Sequence, residues 1–300
     1  LFFIKMASLP IFSCTGTVDD TSYHMALVIL KSAQTLGYIE EDGFSCSCML
    51  EPEFEKFVAA AGHNLGGAAF THSTSPLITM NGKYFGGLKD LISFVKESWP
   101  RVELPDSNDI DFEELTKIEF LNVLRSTGNV YCYMDFKIGE ERAKRVYFEL
   151  FQNVCPRTCE NFTGLCAGVG KIKYRNTLIH RVVPGGWIQG GDIVCSKGDG
   201  GTSIFGDLFE DESFSLKFDS AGVLAMANRG PHTNGSQFFV TTGPLPSMNT
   251  KSVAFGRVVR GLPVIRKIES VPCINERPED PVKIEKSGSL DLASTMDIRL

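Results

Sequence analysis

His180-Arg181-Val182-Val183-Pro184-Gly185, followed by Gln189-Gly190-Gly191-Asp192, is the stretch on which the fold turns. Arg181 sits between His180 and an apolar Val-Val run, which reads as a strand. Downstream come Met226-Ala227-Asn228 and then Asn234-Gly235-Ser236-Gln237-Phe238-Phe239. These segments set a guanidinium, side-chain amides and a phenyl ring on what the pattern makes neighbouring strands.

Working outward, strands dominate from Gly128 onward. Val130-Tyr131-Cys132-Tyr133-Met134-Asp135-Phe136 and Arg145-Val146-Tyr147-Phe148-Glu149-Leu150-Phe151 are β-branched and aromatic runs either side of a turn at Ile138-Gly139-Glu140. A helix is expected over 156–167, with Pro156 at its start and Gly168 at its end. Many short strands with few helices read as an antiparallel barrel. Upstream, Pro100 and Pro105 and the acidic segment 106–114 mark a seam. A helix over 109–125 then opens on an Asp cap with acidic residues in its first turn. The expected units are therefore 1–100, a linker and bridging helix over 101–127, the barrel over 128–290 and a tail over 291–300.

The first 100 residues alternate strand and helix. A strand is expected over 9–14, helices over 21–36 and 53–61, and a hairpin at Asn81-Gly82 followed by a helix over 88–97. Asp19-Asp20-Thr21-Ser22-Tyr23 forms the turn after the first strand. It holds no sulfur, whereas disulfide exchange needs a low-pKa thiolate at such a helix start. Cys46-Ser47-Cys48 falls in a strand, where both thiols share a face. They are read as small apolar side chains rather than as a redox or metal pair.

Composition narrows the chemistry. With 300 residues, 43% hydrophobic and 22% charged, the chain suits two globular domains. A net charge of −6 leaves no electrostatic footprint for nucleic acid. Nine cysteines at irregular spacing favour reduced thiols and a cytoplasmic location. The five histidines show no metal-ligand spacing, so neither a metal nor another cofactor is expected. No apolar run approaches the ~20 residues of a membrane span, so no membrane partner is expected either. Leu1-Phe2-Phe3-Ile4-Lys5-Met6 has no basic n-region and is not read as a signal peptide, and the Leu start suggests that residues precede it.

On the motifs above, residues 130–290 resemble the cyclophilins, the peptidyl-prolyl cis-trans isomerases. The resemblance implies an eight-stranded antiparallel β-barrel with two capping helices and a hydrophobic pocket for a proline ring. Arg181 then matches the family's catalytic Arg, which hydrogen-bonds the prolyl nitrogen as the amide twists over its barrier of roughly 18–20 kcal/mol. Gln189 matches the amide that supports this Arg. Asn228 and Gln237 match groups that hold substrate backbone, and Ala227 and Phe239 match the pocket floor and wall. Gln189 and Asn228 also suit a bland role, satisfying backbone groups. The first 100 residues resemble a smaller α/β thioredoxin or glutaredoxin domain without redox cysteines, with Pro76 at the position of that family's cis-proline and Gly86-Gly87 at the entry to its last helix.

Departures from the cyclophilin pattern bear on activity. The family's pocket Phe falls on Gly186, and its neighbour, usually Met, on Trp187. The family's Trp-Leu pair falls on Ser247-Met248 and its His on Ser252. Burying one Phe contributes about 1.5–3 kcal/mol, so Gly186 alone weakens proline binding roughly 10- to 100-fold. Trp187 either refills part of the pocket or plugs it. An acceleration of about 10⁵ requires roughly 7 kcal/mol, which Arg181 does not supply without walls that orient the proline. The expected protein is therefore a binding or scaffold module that is catalytically inactive, with weak affinity for Pro-containing peptides and no tight cyclosporin site. The alternative is an isomerase of altered specificity using Arg181. A protein partner in a cytoskeletal or ciliary assembly is the expected context.

Overall fold

Alternating burial shapes the second half of the chain. In a computed structural model describing residues 9–106 and 110–293, the chain divides between Ser126 and Thr127 into two units. The opening Leu1-Met6 segment, the middle of the acidic seam and the tail beyond 293 lie outside the described residues.

In the first unit, β1 (Phe12–Thr17), α1 (Thr21–Thr35), β2 (Phe44–Met49), α2 (Glu51–Leu65), β3 (Leu77–Met80), β4 (Lys83–Gly86), α3 (Leu88–Ser98) and α4 (Phe112–Thr127) follow in order. The sheet runs β2-β1-β3-β4, with β1 and β2 parallel and the other pairs antiparallel. The β3–β4 turn is the expected Asn81-Gly82 pair, both residues at positive φ. Ser75-Pro76 is a cis peptide. The first strand starts at Phe12 rather than near residue 9, because Pro10 lacks an N–H and Leu9 and Ile11 are exposed. It runs on through Gly16, where the Tyr23 ring lies too close for any Cβ. Asp20 caps α1 by accepting the Ser22 N–H at 2.6 Å, and Asp111 caps α4 through the Glu114 N–H at 2.9 Å. Phe12, Phe94 and Trp99 form an aromatic core, with centroids 5.1 to 6.2 Å apart.

The second unit contains β5 (Val130–Ile138), β6 (Lys144–Leu150), α5 (Pro156–Ala167), β7 (Leu178–Val183), β8 (Trp187–Gly190), β9 (Val223–Met226), β10 (Phe238–Thr241), β11 (Ala254–Arg260), α6 (Leu262–Glu269), β12 (Cys273–Ile274), β13 (Arg277–Pro278) and β14 (Val282–Ser289). Eight strands close a barrel in the order β10-β8-β7-β14-β5-β6-β11-β9, and β9 pairs back onto β10. Every pair in it is antiparallel. The two helices bury Phe162 and Leu165 of α5 and Leu262, Ile265 and Ile268 of α6 in the barrel core. Glu212 accepts the N–H groups of Arg157 and Thr158 at the start of α5, where a carboxylate opposes the positive end of the helix dipole.

Strand alternation creates two separate apolar clusters. Phe238, Ile188, Leu224 and Met226 point into the barrel. Their neighbours Phe239, Trp187, Ala225 and Ala227 belong to a second cluster on the other face of the same strands. That second face carries the candidate site.

Candidate functional site

Register assembles the site. Arg181 on β7 lies opposite Gln189 on β8, which lies opposite Phe239 on β10. Trp187, two residues before Gln189, shares their face. The row therefore brings together residues more than fifty positions apart in the chain, as the motif spacing requires.

Phe239 is buried and anchors the outer cluster. Phe218 stacks on it at 5.8 Å, and the tilted Trp187 ring lies 5.9 Å away. Ala227, Leu245 and Met248 pack around them half-buried. Ala227, Phe239 and Met248 thus meet in one cluster. Trp187 does not stand clear of this cluster: it fills it, and its indole N–H donates to Gln189 Oε1 at 3.3 Å.

The expected support of Arg181 by Gln189 is not what the side chains do. Arg181 Nε donates to Glu276 Oε2 at 2.5 Å, and its guanidinium carbon lies 5.3 Å from the Trp187 ring centre. A full carboxylate charge outcompetes a neutral amide for a guanidinium. The Gln189 amide instead donates to Gln237 Oε1 at 3.0 Å. Gln237 in turn donates to the carbonyls of Gly198 at 2.9 Å and Gly200 at 2.7 Å. Asn228 donates to the Lys251 carbonyl at 2.8 Å and accepts the Gly230 N–H at 3.3 Å. Asn228 and Gln237 thus hold backbone groups of neighbouring loops, whereas the Gln189 amide meets only the side chains of Gln237 and Trp187.

The three departed positions bring no ring. Gly186 is buried in the β7–β8 turn, donating its N–H to the Val183 carbonyl at 2.9 Å and accepting the Thr242 N–H at its carbonyl at 2.9 Å. Ser247 is exposed in the short 3₁₀ turn Pro246–Met248. Ser252 is buried, and its N–H donates to the Met248 carbonyl at 3.2 Å.

Beside this face, Gln189, Thr233 and residues 198–202, 207–208, 227–229 and 235–237 line a polar cavity of about 430 Å³. Its near wall hangs on Asp192. That fully buried carboxylate accepts the N–H groups of Val194, Cys195, Lys197, Gly198 and Gly200 at 2.8 to 3.2 Å, together with the Cys195 thiol at 3.0 Å. Burial by itself would raise the Asp192 pKa. The donors from Cys195, Gly198 and Val194 outweigh it and hold the carboxyl well below the usual range.

The barrel is closed and antiparallel, with a guanidinium, a Gln amide and a buried Phe in one row and Gln237 hydrogen-bonded to that amide. Residues 133–289 also match the family model described as cyclophilin type peptidyl-prolyl cis-trans isomerase/CLD. The chain belongs to the cyclophilin family. This cyclophilin is 38% identical over 242 residues to the Homo sapiens protein named "Probable inactive peptidyl-prolyl cis-trans isomerase-like 6", covering 78% of this chain and 77% of that one. It is 38% identical over 283 residues to the Mus musculus protein of the same name, covering 92% and 90%. It is also 44% identical over 176 residues to the Mus musculus NK-tumor recognition protein, 56% of this chain and 12% of that one.

Two residues of this cyclophilin carry site geometry that sequence reasoning did not assign. Asp192 stands in the quoted motif without a role, since nothing local shows how many N–H groups will converge on it. Glu276 hides because its hairpin is disguised. Asn275 and Glu276 join β12 to β13 at φ 49 and φ 62, a two-residue turn of the kind that favours Asn-Gly. Glu in place of Gly costs about 1–2 kcal/mol in that left-handed conformation.

The Cys195 thiol on Asp192 is the one that reaches the site among the described residues. Cys46 and Cys48 are exposed on β2, at the sheet edge, rather than packed as small apolar groups. Burial pushes the Cys14 thiol up to about 12, with a further rise from Cys46 opposite it. Among the described residues no three His, Cys, Asp or Glu side chains gather as a metal site.

Proposed function

We propose that this cyclophilin is a binding module with little or no isomerase activity, taking Pro-containing segments of protein partners weakly on its outer barrel face. One observation carries the reading: Trp187 packs on Phe239 where a proline ring would go, while Gly186, Ser247 and Ser252 contribute no ring. Without an oriented proline, a guanidinium does not reach the roughly 7 kcal/mol of transition-state stabilisation that a 10⁵-fold acceleration needs. The names of the relatives, inactive isomerase-like proteins, support the same reading.

The first unit adds a second docking body in this proposal. Its β2-β1-β3-β4 sheet, its parallel β1–β2 pair and its cis Ser75-Pro76 bond support a thioredoxin-like fold. The Asp20 carboxylate caps α1 where an exchanger would present its thiolate.

NMR exchange spectroscopy on a blocked Ala-Ala-Pro-Ala peptide tests the reading, with Arg181→Ala as the control. The expected result is cis/trans exchange within about twofold of the peptide alone for both proteins, alongside weak binding shifts for the unsubstituted chain. Catalysed exchange that vanishes in Arg181→Ala would instead establish the second reading, an isomerase of altered specificity, which the presence of Arg181, Gln189 and Phe239 in one row favours.

A further inference from the structure

The Asn275-Glu276 turn is latched to the strand that carries Arg181. Its backbone accepts the Val182 N–H at the Glu276 carbonyl, 2.7 Å away, and the next residue, Arg277, donates to the Lys197 carbonyl at 2.9 Å. The Glu276 side chain therefore starts from a fixed base, from which its carboxylate accepts from Arg181 Nε at 2.5 Å. Both side chains keep 44% of their surface exposed, so the pair sits at the mouth of the site rather than sealed within it. Glu276 also holds a left-handed backbone, at φ 62, that glycine adopts freely. A residue kept in a conformation it disfavours, with its charge on the one guanidinium of the row, points to a role.

We propose that Glu276 is an intramolecular gate on this site. Its carboxylate takes the place of the peptide carbonyl that would otherwise accept from Arg181, as Trp187 takes the place of the proline ring. The face is thus occupied by the protein's own side chains, and a peptide ligand engages Arg181 only by displacing Glu276. The inference rests on the reading of this face as a peptide site and says what regulates it.

Two variants test it without threatening the fold. Glu276→Gly removes the carboxylate and relaxes the turn, and Glu276→Gln keeps the shape while removing the charge. The Nε–Hε resonance of Arg181 reports the ion pair directly, and titration with the blocked Ala-Ala-Pro-Ala peptide, followed by Trp187 fluorescence, reports binding. Both variants are expected to shift the Arg181 resonance. Glu276→Gly is expected to tighten the peptide Kd about two- to fivefold, the range an ion pair this exposed supports, a gain that disappears in Glu276→Gly combined with Arg181→Ala. An Arg181 resonance unmoved in both variants would overturn the gate, because the pair would not exist in solution. A moved resonance with an unchanged Kd would overturn the gate alone. If the resonance moves but no variant binds peptide at any concentration, the peptide-site reading itself falls, and the gate with it.

Discussion

Asp192→Ala is expected to destabilise the barrel unit by about 3–5 kcal/mol, because five backbone N–H groups and a thiol lose their shared acceptor while staying enclosed. Asp192→Asn should be nearly as harmful. An amide presents a nitrogen donor on one side, and both carboxylate oxygens now face donors. The effect carries a pH signature. The Asp192 carboxyl has a folded pKa well below the usual range, so its contribution is fully present above the ordinary Asp value of about 4. It declines as pH falls below that value toward the depressed folded one. Urea unfolding of the intact chain at pH 7 and again near pH 3 checks both points. The gap between the unsubstituted chain and Asp192→Ala should narrow at the lower pH, and a gap below about 1 kcal/mol at pH 7 would contradict the account. Since the 194–200 loop lines the polar cavity, the variant should also broaden the backbone resonances of Gly198 and Gly200.

Phe162→Ala should cost a similar about 3–5 kcal/mol, through a cavity rather than through lost hydrogen bonds. Phe162 of α5 is fully buried and meets Phe148, Tyr174, Phe238 and Phe255 at centroid distances of 5.2 to 6.1 Å, most of them edge to face. Removing it leaves four rings without a shared neighbour. Phe238 is next in chain to Phe239, so loosening β10 from inside should disturb the outer cluster as well. Thermal unfolding measures the stability loss, and a red shift of Trp187 emission reads the outer face. Trp99, buried in the first unit, supplies an unchanged reference. Phe162→Leu, which keeps most of the volume, should lose less than about 1.5 kcal/mol. An equal loss in both variants would argue against the cavity mechanism.

Much of this molecule is legible residue by residue. The Asn81-Gly82 hairpin, the α5 boundaries at Pro156 and Ala167, and the strands around Val130 and Val146 follow from turn chemistry and period-two patterning, which act over a few neighbouring residues. The row Arg181, Gln189, Phe239 is also written in the chain, because each member sits in a distinctive motif. Boundaries are less secure where an exposed stretch such as residues 9–11 shares the apolar character of the strand it precedes.

The sequence by itself determined the antiparallel barrel, through its short β-branched and aromatic runs, and the resemblance of its motifs to the cyclophilins singled out Arg181, Gln189 and Phe239 and the ringless positions Gly186, Ser247 and Ser252. Only the tertiary structure decided how those groups spend their interactions. Trp187 fills the cluster because Phe239 and Met248 arrive from other strands and turns to receive it. Arg181 pairs with Glu276 because a hairpin nearly a hundred residues later is latched beside β7. Asp192 holds a whole loop because that loop folds back over it. Each is a competition among partners distant in the chain, and its outcome depends on which charge or ring the closed barrel brings nearest.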